Sequence, residues 1–218
     1  MNRHPAANGS YKIPFTGNRV DIVASPAEDP RGSARILIDG QPPSANPKAY
    51  TITRPSNASE VWWPGVYTVG FQNTPLVEDW LLKLTEVSDD AKQFKYQVTG
   101  SKTGPAGSGS SAETFVSSSG LVVIDPKDFG LEAACAYTKK PCPPGFEIKW
   151  SVVPMFKDTY RAPKSKDPAK PVRTTVVQLI ENGPHTLEIL PNGDGSLPIQ
   201  AIEVFQPALT KNSAGAIL

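Results

Sequence analysis

The sequence lacks any long apolar run, and its 218 residues carry a formal net charge of only +1. A helix that crosses a bilayer needs about 20 mostly apolar residues, so the sequence predicts no membrane span. Nucleic acids and anionic membrane surfaces are usually bound through concentrated Lys and Arg, and no such concentration is present. We therefore expect no nucleic acid and no membrane as a partner.

Histidine is also scarce, with only His4 and His185. Neither has a cysteine at the spacing of zinc ligands, so we expect no metal site and no other cofactor. A serine hydrolase needs a histidine base beside its nucleophile, and the sequence has no Gly-x-Ser-x-Gly elbow. His185 follows Gly183-Pro184 and opens a strand-like segment. We interpret it as a structural residue and expect no catalytic residue in this chain.

Cysteine is limited to Cys135 and Cys142, in a Pro-rich segment. Their short spacing predicts a disulfide that replaces missing hydrophobic packing, with free thiols as the alternative. Residues 1–10 are polar and lack the apolar stretch of a signal peptide. This leaves two interpretations open, an intracellular protein or a domain of a longer secreted protein.

Glycine and proline are abundant, with 17 and 23 residues, while 39% of the chain is hydrophobic. That combination indicates many turns around an adequate core rather than disorder. Apolar and polar residues alternate with period two, which predicts an all-β antiparallel sandwich with little helix, as a single domain over residues 1–218. The predicted strands are residues 19–24, 33–39, 49–53, 65–70, 80–87, 92–99, 113–116, 121–124, 146–153, 173–180, 185–190 and 199–205.

One short helix is predicted over residues 126–137, with Asp125 as its cap. Residues 76–97 are rich in helix formers, but their alternation around Ser88-Asp89-Asp90 favours a β-hairpin. Residues 41–47, 100–111 and 157–171 have the composition of loops.

The aromatic residues carry the strongest functional signal. Trp62 and Trp63 are adjacent, and neighbouring strand residues point to opposite faces, so burying one tends to expose the other. Flat aromatic faces bind the apolar faces of sugar rings, and polar side chains then contact the hydroxyls. The predicted site for a polysaccharide or oligosaccharide consists of Trp62, Trp63, Tyr67, Gln72, Asn73, Tyr137 and Tyr160. The alternative is that both tryptophans fill the core, as we expect of Trp80 and Trp150.

Paired carboxylates could instead hydrolyse a glycosidic bond without a histidine. The candidates are Glu60, Glu78, Asp79, Asp125, Asp128, Glu132 and Glu147. The sequence places no two of them at a defined separation. A polysaccharide-acting glycosidase therefore stays an alternative, as does an architectural domain that binds no sugar.

Segments at the two ends of the chain resemble a known family. Phe15-Thr-Gly-Asn-Arg-Val-Asp-Ile22 with Ala34-Arg-Ile-Leu-Ile-Asp-Gly40 is similar to the strand pair that opens the galactose-binding-like jelly-roll domains of SGNH/GDSL carbohydrate esterases. Gly183-Pro-His-Thr-Leu-Glu-Ile189 and Ala201-Ile-Glu-Val-Phe205 look like the closing hairpin of those domains. Both pairs alternate apolar and polar residues, as the strands of one sandwich do.

This resemblance implies a noncatalytic carbohydrate-binding or accessory module of a larger secreted bacterial hydrolase, extracellular or periplasmic, and possibly linked covalently to a catalytic domain. In that family the His-Thr-Leu segment is not catalytic. The chain departs from a compact jelly roll over residues 41–182, which we interpret as an insertion or an elaborated rim. The esterase residues of the family have no counterpart here, so only the accessory role transfers.

Overall fold

The computed structural model describes residues 9–28, 32–57, 60–165, 167 and 169–207. It is 51% strand and 9% helix, and its sheets are antiparallel. The predicted all-β class with little helix is thus confirmed, whereas the jelly-roll connectivity stays a prediction. Within the described ranges, no helix is long and apolar enough to span a membrane.

Most of the described elements are strands, and the helices are short. The strands are β1 (Tyr11–Ala24), β2 (Ser33–Ile38), β3 (Tyr50–Ile52), β4 (Asp79–Val87), β5 (Phe94–Gly100), β6 (Gly104–Ser110), β7 (Phe115–Val116), β8 (Val123–Ile124), β9 (Glu147–Pro154), β10 (Thr159–Arg161), β11 (Val172–Pro191) and β12 (Ile199–Phe205). Short 3-10 helices cover Pro43–Ala45, Pro47–Ala49 and Pro126–Asp128, and one α-helix, α1, covers Leu131–Thr138.

The chain divides into two compact units, residues 1–49 with 154–218, and residues 50–153. Each unit has its own cluster of buried apolar side chains. The second unit lies within the predicted insertion, residues 41–182, and the assignment of that range as an insertion into a single domain stays a prediction. We describe each unit separately.

The first unit contains a five-stranded sheet in the order β10-β2-β11-β1-β12. As expected from their alternation, the segments at the two ends of the chain lie in one sheet, since β1 pairs with both β11 and β12. Gly17 lies where these strands approach closely, because an added Cβ would come within 2.4 Å of the carbonyl oxygen of Phe205.

Strand β11 differs from the prediction of two separate strands. It continues through Gly183-Pro184, which pair with Gly17 and Thr16 of β1. The expected break does not occur because proline can remain in a strand where its missing N–H is not required for pairing.

The second unit contains a sheet in the order β3-β9-β4-β5-β6 and the small hairpin β7-β8. The hairpin predicted within residues 76–97 is confirmed, since β4 pairs with β5. Alternation places Trp80, Leu82 and Leu84 of β4 in the core. Trp150 of β9 joins them, and its ring lies 6.4 Å from that of Trp80. Both tryptophans are core residues, as predicted.

Three predictions about this unit need correction. Residues 65–70 form only isolated bridges at Val66 and Gly70 rather than a strand. Residues 104–110, predicted as part of a loop, form β6, because the neighbouring strand β5 supplies their backbone partners. The predicted helix over residues 126–137 is a 3-10 turn followed by α1. Asp125 precedes the 3-10 turn, but its carboxylate accepts a hydrogen bond from the Thr114 hydroxyl and makes no capping hydrogen bond.

Candidate functional site

Three aromatic rings contact one another at the surface of the second unit, and we call them the aromatic cluster: Trp62, Trp63 and Tyr137. The ring of Tyr137 lies 4.6 Å from that of Trp63 and 5.5 Å from that of Trp62. The two indole rings are 5.5 Å apart. Trp62 is 48% exposed and Tyr137 is 63% exposed, while Trp63 packs partly against the core. The cluster therefore exposes the rings of Trp62 and Tyr137 to solvent, and both contact the more buried ring of Trp63.

The segment with the two tryptophans is fixed on both sides by buried residues. Val61 precedes it in the core, and Gly65 follows it directly against Ile148, where an added Cβ would come within 2.5 Å of that side chain. This segment is not a strand, so the alternation argued from the sequence does not apply to it. The outcome still agrees in part with the prediction, because Trp62 is exposed and Trp63 is half-buried.

Helix α1 carries the third ring. Its residues Leu131 and Ala134 are buried in the core, which leaves Tyr137 on the exposed side. Cys135 of the same helix is bonded to Cys142. The ring of chain that this disulfide closes includes Tyr137. An eight-residue helix is marginal alone, so the core contacts and the disulfide hold Tyr137 beside the indoles.

Other residues of the predicted site lie elsewhere. Tyr67 is 48% exposed and covers the start of α1, where its ring lies against Gly130. Gln72 and Asn73 lie against the turn of residues 117–120, with Asn73 Nδ2 donating to the carbonyl of Ser119 at 2.9 Å. These three residues are exposed, but their contacts are not with the aromatic cluster.

Tyr160 does not belong to a binding surface, and this prediction is wrong. It lies in β10 of the first unit and is fully buried. Burial raises the pKa of its hydroxyl to about 12. Its alternation within a short strand directs the side chain into the core, where a ligand in solvent does not reach it.

Glu78, a candidate catalytic acid, has a structural role instead. Its carboxylate accepts hydrogen bonds from the backbone N–H groups of Lys102 and Thr103, and from the Thr103 hydroxyl at 2.5 Å. Burial raises the pKa of Glu78, but these hydrogen bonds outweigh that effect and the net pKa is lowered. The carboxylate stays ionised and holds the turn between β5 and β6.

His185 has both ring nitrogens engaged. Nδ1 lies 2.7 Å from Asp39 Oδ2, and Nε2 lies 2.9 Å from the carbonyl oxygen of Glu181. Both partners are acceptors, so the geometry suits the protonated ring. Burial lowers the pKa of His185, but the hydrogen bonds to Asp39 and Glu181 prevail and the pKa is raised from 6.5. With neither nitrogen available as a base, the contacts support the structural interpretation.

The sequence did not point to a second surface, which we call the sheet groove. It has a volume of about 880 Å³ and lies over the side of β9, β4 and β5 that faces away from the core. Its polar lining includes the side chains of Arg54, Asp79, Thr99, Ser101, Lys149 and Ser151. Trp80, Leu81 and Trp150 also line it, so part of its surface is apolar. The sequence indicates this groove only through the polar residues at every second position of these strands. Any solvent-facing side of a sheet shows the same pattern, so it does not point to a binding site.

Comparison of the chain with family models, curated proteins and solved structures finds no match.

Proposed function

We propose that this chain is a noncatalytic carbohydrate-binding module and that the aromatic cluster is its binding surface. The observation that carries the proposal is the exposure of Trp62 and Tyr137 in mutual contact. Isolated exposed apolar residues are common on protein surfaces, but adjacent exposed aromatic rings mark binding sites more often. Sugar rings, with apolar faces and polar edges, match such a surface.

The surroundings of the cluster fit a rigid platform. Trp63 packs against the core beneath the exposed rings, and the disulfide ties α1 to Cys142, which is buried. Preorganised rings lose little side-chain freedom when a ligand binds, so more of the contact energy becomes affinity. The disulfide also fits an oxidising compartment, which supports the proposal of an extracellular or periplasmic protein.

The accessory role in a larger secreted hydrolase is part of the proposal and rests on the resemblance of the end segments. Three of the candidate carboxylates have structural partners, which weakens the glycosidase alternative. Glu78 holds a turn, Asp79 accepts from Ser151, and Glu147 pairs with Lys149 at 2.8 Å. An architectural domain without sugar binding is the outcome to expect if no polysaccharide is retained.

The test is capture of the purified chain by a panel of insoluble polysaccharides, including cellulose, chitin, xylan and mannan. The parent should be retained by at least one of them, and Trp62→Ala and Tyr137→Ala should each be retained less. Phe205→Ala is the matched control, since Phe205 is an exposed aromatic residue of the first unit, 42% exposed. Equal retention of all four proteins would remove the aromatic cluster as the site, and release of reducing sugar would favour the glycosidase.

A further inference from the structure

The sheet groove is separate from the aromatic cluster. Trp63 packs against the core beneath the inner side of the second sheet, where Trp80 and Leu82 lie. The groove is lined mainly by side chains of the same strands that alternate to the outer side, such as Asp79 on β4 and Lys149 on β9, and none of the three rings of the aromatic cluster lines it. A ligand in the groove would therefore contact none of the three aromatic rings.

We propose that the sheet groove binds an acidic polysaccharide through the carboxylates of its uronate units. This inference goes beyond the proposed function, because it concerns other residues and another chemical feature of the ligand.

Two cationic side chains in the groove lining, Arg54 and Lys149, are complementary to a negatively charged ligand. Arg54 lies in the edge segment between Thr53 and Ser56, whose backbones pair with Ser151 and Lys149 of β9. Its guanidinium makes no ion pair with any residue that the structure describes. Lys149 reaches Glu147 at 2.8 Å, yet its side chain stays 66% exposed. An unpaired guanidinium is suited to a carboxylate, which it can hold through two parallel hydrogen bonds.

The remaining polar groups suit the hydroxyls of a sugar. Asp79 accepts a hydrogen bond from the Ser151 hydroxyl at 2.5 Å through Oδ1, which leaves its other oxygen able to accept from a ligand. Thr99 faces outward on β5, and Ser101 follows that strand. A ligand that has both hydroxyl groups and negative charges satisfies this mixture of cations, carboxylate and hydroxyls.

The charge balance disfavours a nucleic acid in the same groove. Asp79 lies in the same lining as Arg54 and Lys149, and Glu147 pairs with Lys149 at 2.8 Å, so the groove holds no concentration of positive charge. Nucleic-acid binding depends on neutralising several phosphates at once, each with a basic side chain. A polysaccharide with spaced carboxylates needs fewer cations.

The experiment measures binding of the full chain to polygalacturonate and alginate, and to polygalacturonate whose carboxylates are fully methyl-esterified. The parent should bind at least one acidic polymer, and esterification should weaken binding to polygalacturonate if that polymer is bound. Arg54→Ala and Lys149→Ala should each weaken binding to the acidic polymer about tenfold or more, the scale of one charge-assisted hydrogen bond. Raising the salt concentration should weaken binding of the parent to the acidic polymer, because salt screens the attraction between charges.

Arg35→Ala is the matched control, because it also removes an exposed arginine side chain, but from β2 of the first unit. It should bind like the parent, and all variants should keep the parent's melting temperature. The proposal is wrong if neither acidic polymer binds, if an ester binds as well as its acid, or if the Arg54 and Arg35 variants behave alike. Tighter binding of a single-stranded oligonucleotide would assign the groove to nucleic acid instead.

Discussion

Replacing Glu78 with alanine should lower the stability of the second unit substantially. Glu78 is only 5% exposed, and its carboxylate receives two backbone N–H groups and one hydroxyl from Lys102 and Thr103. Hydrogen bonds to a charged acceptor contribute about 1.5–3 kcal/mol each. Because water reaches part of the exposed turn after truncation, we expect a total loss of about 3 kcal/mol rather than the sum of three full bonds.

The matched control is Asp90→Ala, in the exposed turn between β4 and β5. Asp90 also accepts hydrogen bonds from the Ser88 hydroxyl and the Lys92 backbone N–H, but it is exposed, so we expect a much smaller loss of stability than for Glu78→Ala. Urea denaturation gives both free energies of unfolding, and hydrogen exchange at Lys102 and Thr103 reports the turn itself. Equal stability of Glu78→Ala and the parent, with equal denaturant dependence, would refute the assigned role.

The pH dependence follows from the lowered pKa of Glu78. Its stabilising contribution should be fully present above the ordinary glutamate pKa of 4.5 and should disappear as the pH falls through the lower folded value. Glu78→Gln should remove that part of the acid dependence. An unchanged acid profile in this variant would show that the carboxylate charge has no such role.

Two further predictions concern His185 and the disulfide. Because the pKa of His185 is raised, its contribution to stability is present below the ordinary pKa of 6.5 and is lost as the pH rises through the folded value. His185→Asn should flatten this part of the stability profile and cost about 1 kcal/mol at low pH. A parent whose melting temperature does not fall over that pH interval would contradict this prediction. Replacing Cys135 and Cys142 with serine should lower stability by less than about 3 kcal/mol, because the closed loop is short. Intact mass with and without reductant checks the bond, and two alkylatable thiols in protein from an oxidising compartment would count against it.

The sequence predicted those strands whose side chains alternate against a core. Strand β4 and its hairpin partner β5 were recognised despite their helix-forming composition, because Trp80, Leu82 and Leu84 recur with period two. Strand β6 was missed because its Gly, Ser and Pro residues show no apolar period, and pairing with β5 alone makes it a strand. The composition of a segment does not show which neighbouring strand will pair with its backbone.

The candidate site was predictable only in part. The adjacency of Trp62 and Trp63 correctly indicated one exposed and one more buried ring, although the segment is not a strand. Tyr137 reaches them only through the packing of α1, which no local pattern specifies. Tyr160 was included wrongly, because residues 157–171 have the composition of a loop, whereas Thr159–Arg161 form β10 by pairing with β2 and bury the tyrosine. The sheet groove depends on strand order, and sequence alternation alone does not supply strand order.

The measurement that tests carbohydrate binding most directly is a titration of the parent, Trp62→Ala and Trp62→Phe with a soluble oligosaccharide of the polysaccharide that captures the chain. One stacked aromatic ring contributes about 1 kcal/mol, so Trp62→Ala should weaken binding about fivefold or more. Trp62→Phe should recover part of the affinity, and the melting temperature should stay nearly unchanged because Trp62 is 48% exposed. Equal affinity of the parent and Trp62→Ala, or no binding of any oligosaccharide by the parent, would contradict the proposed function.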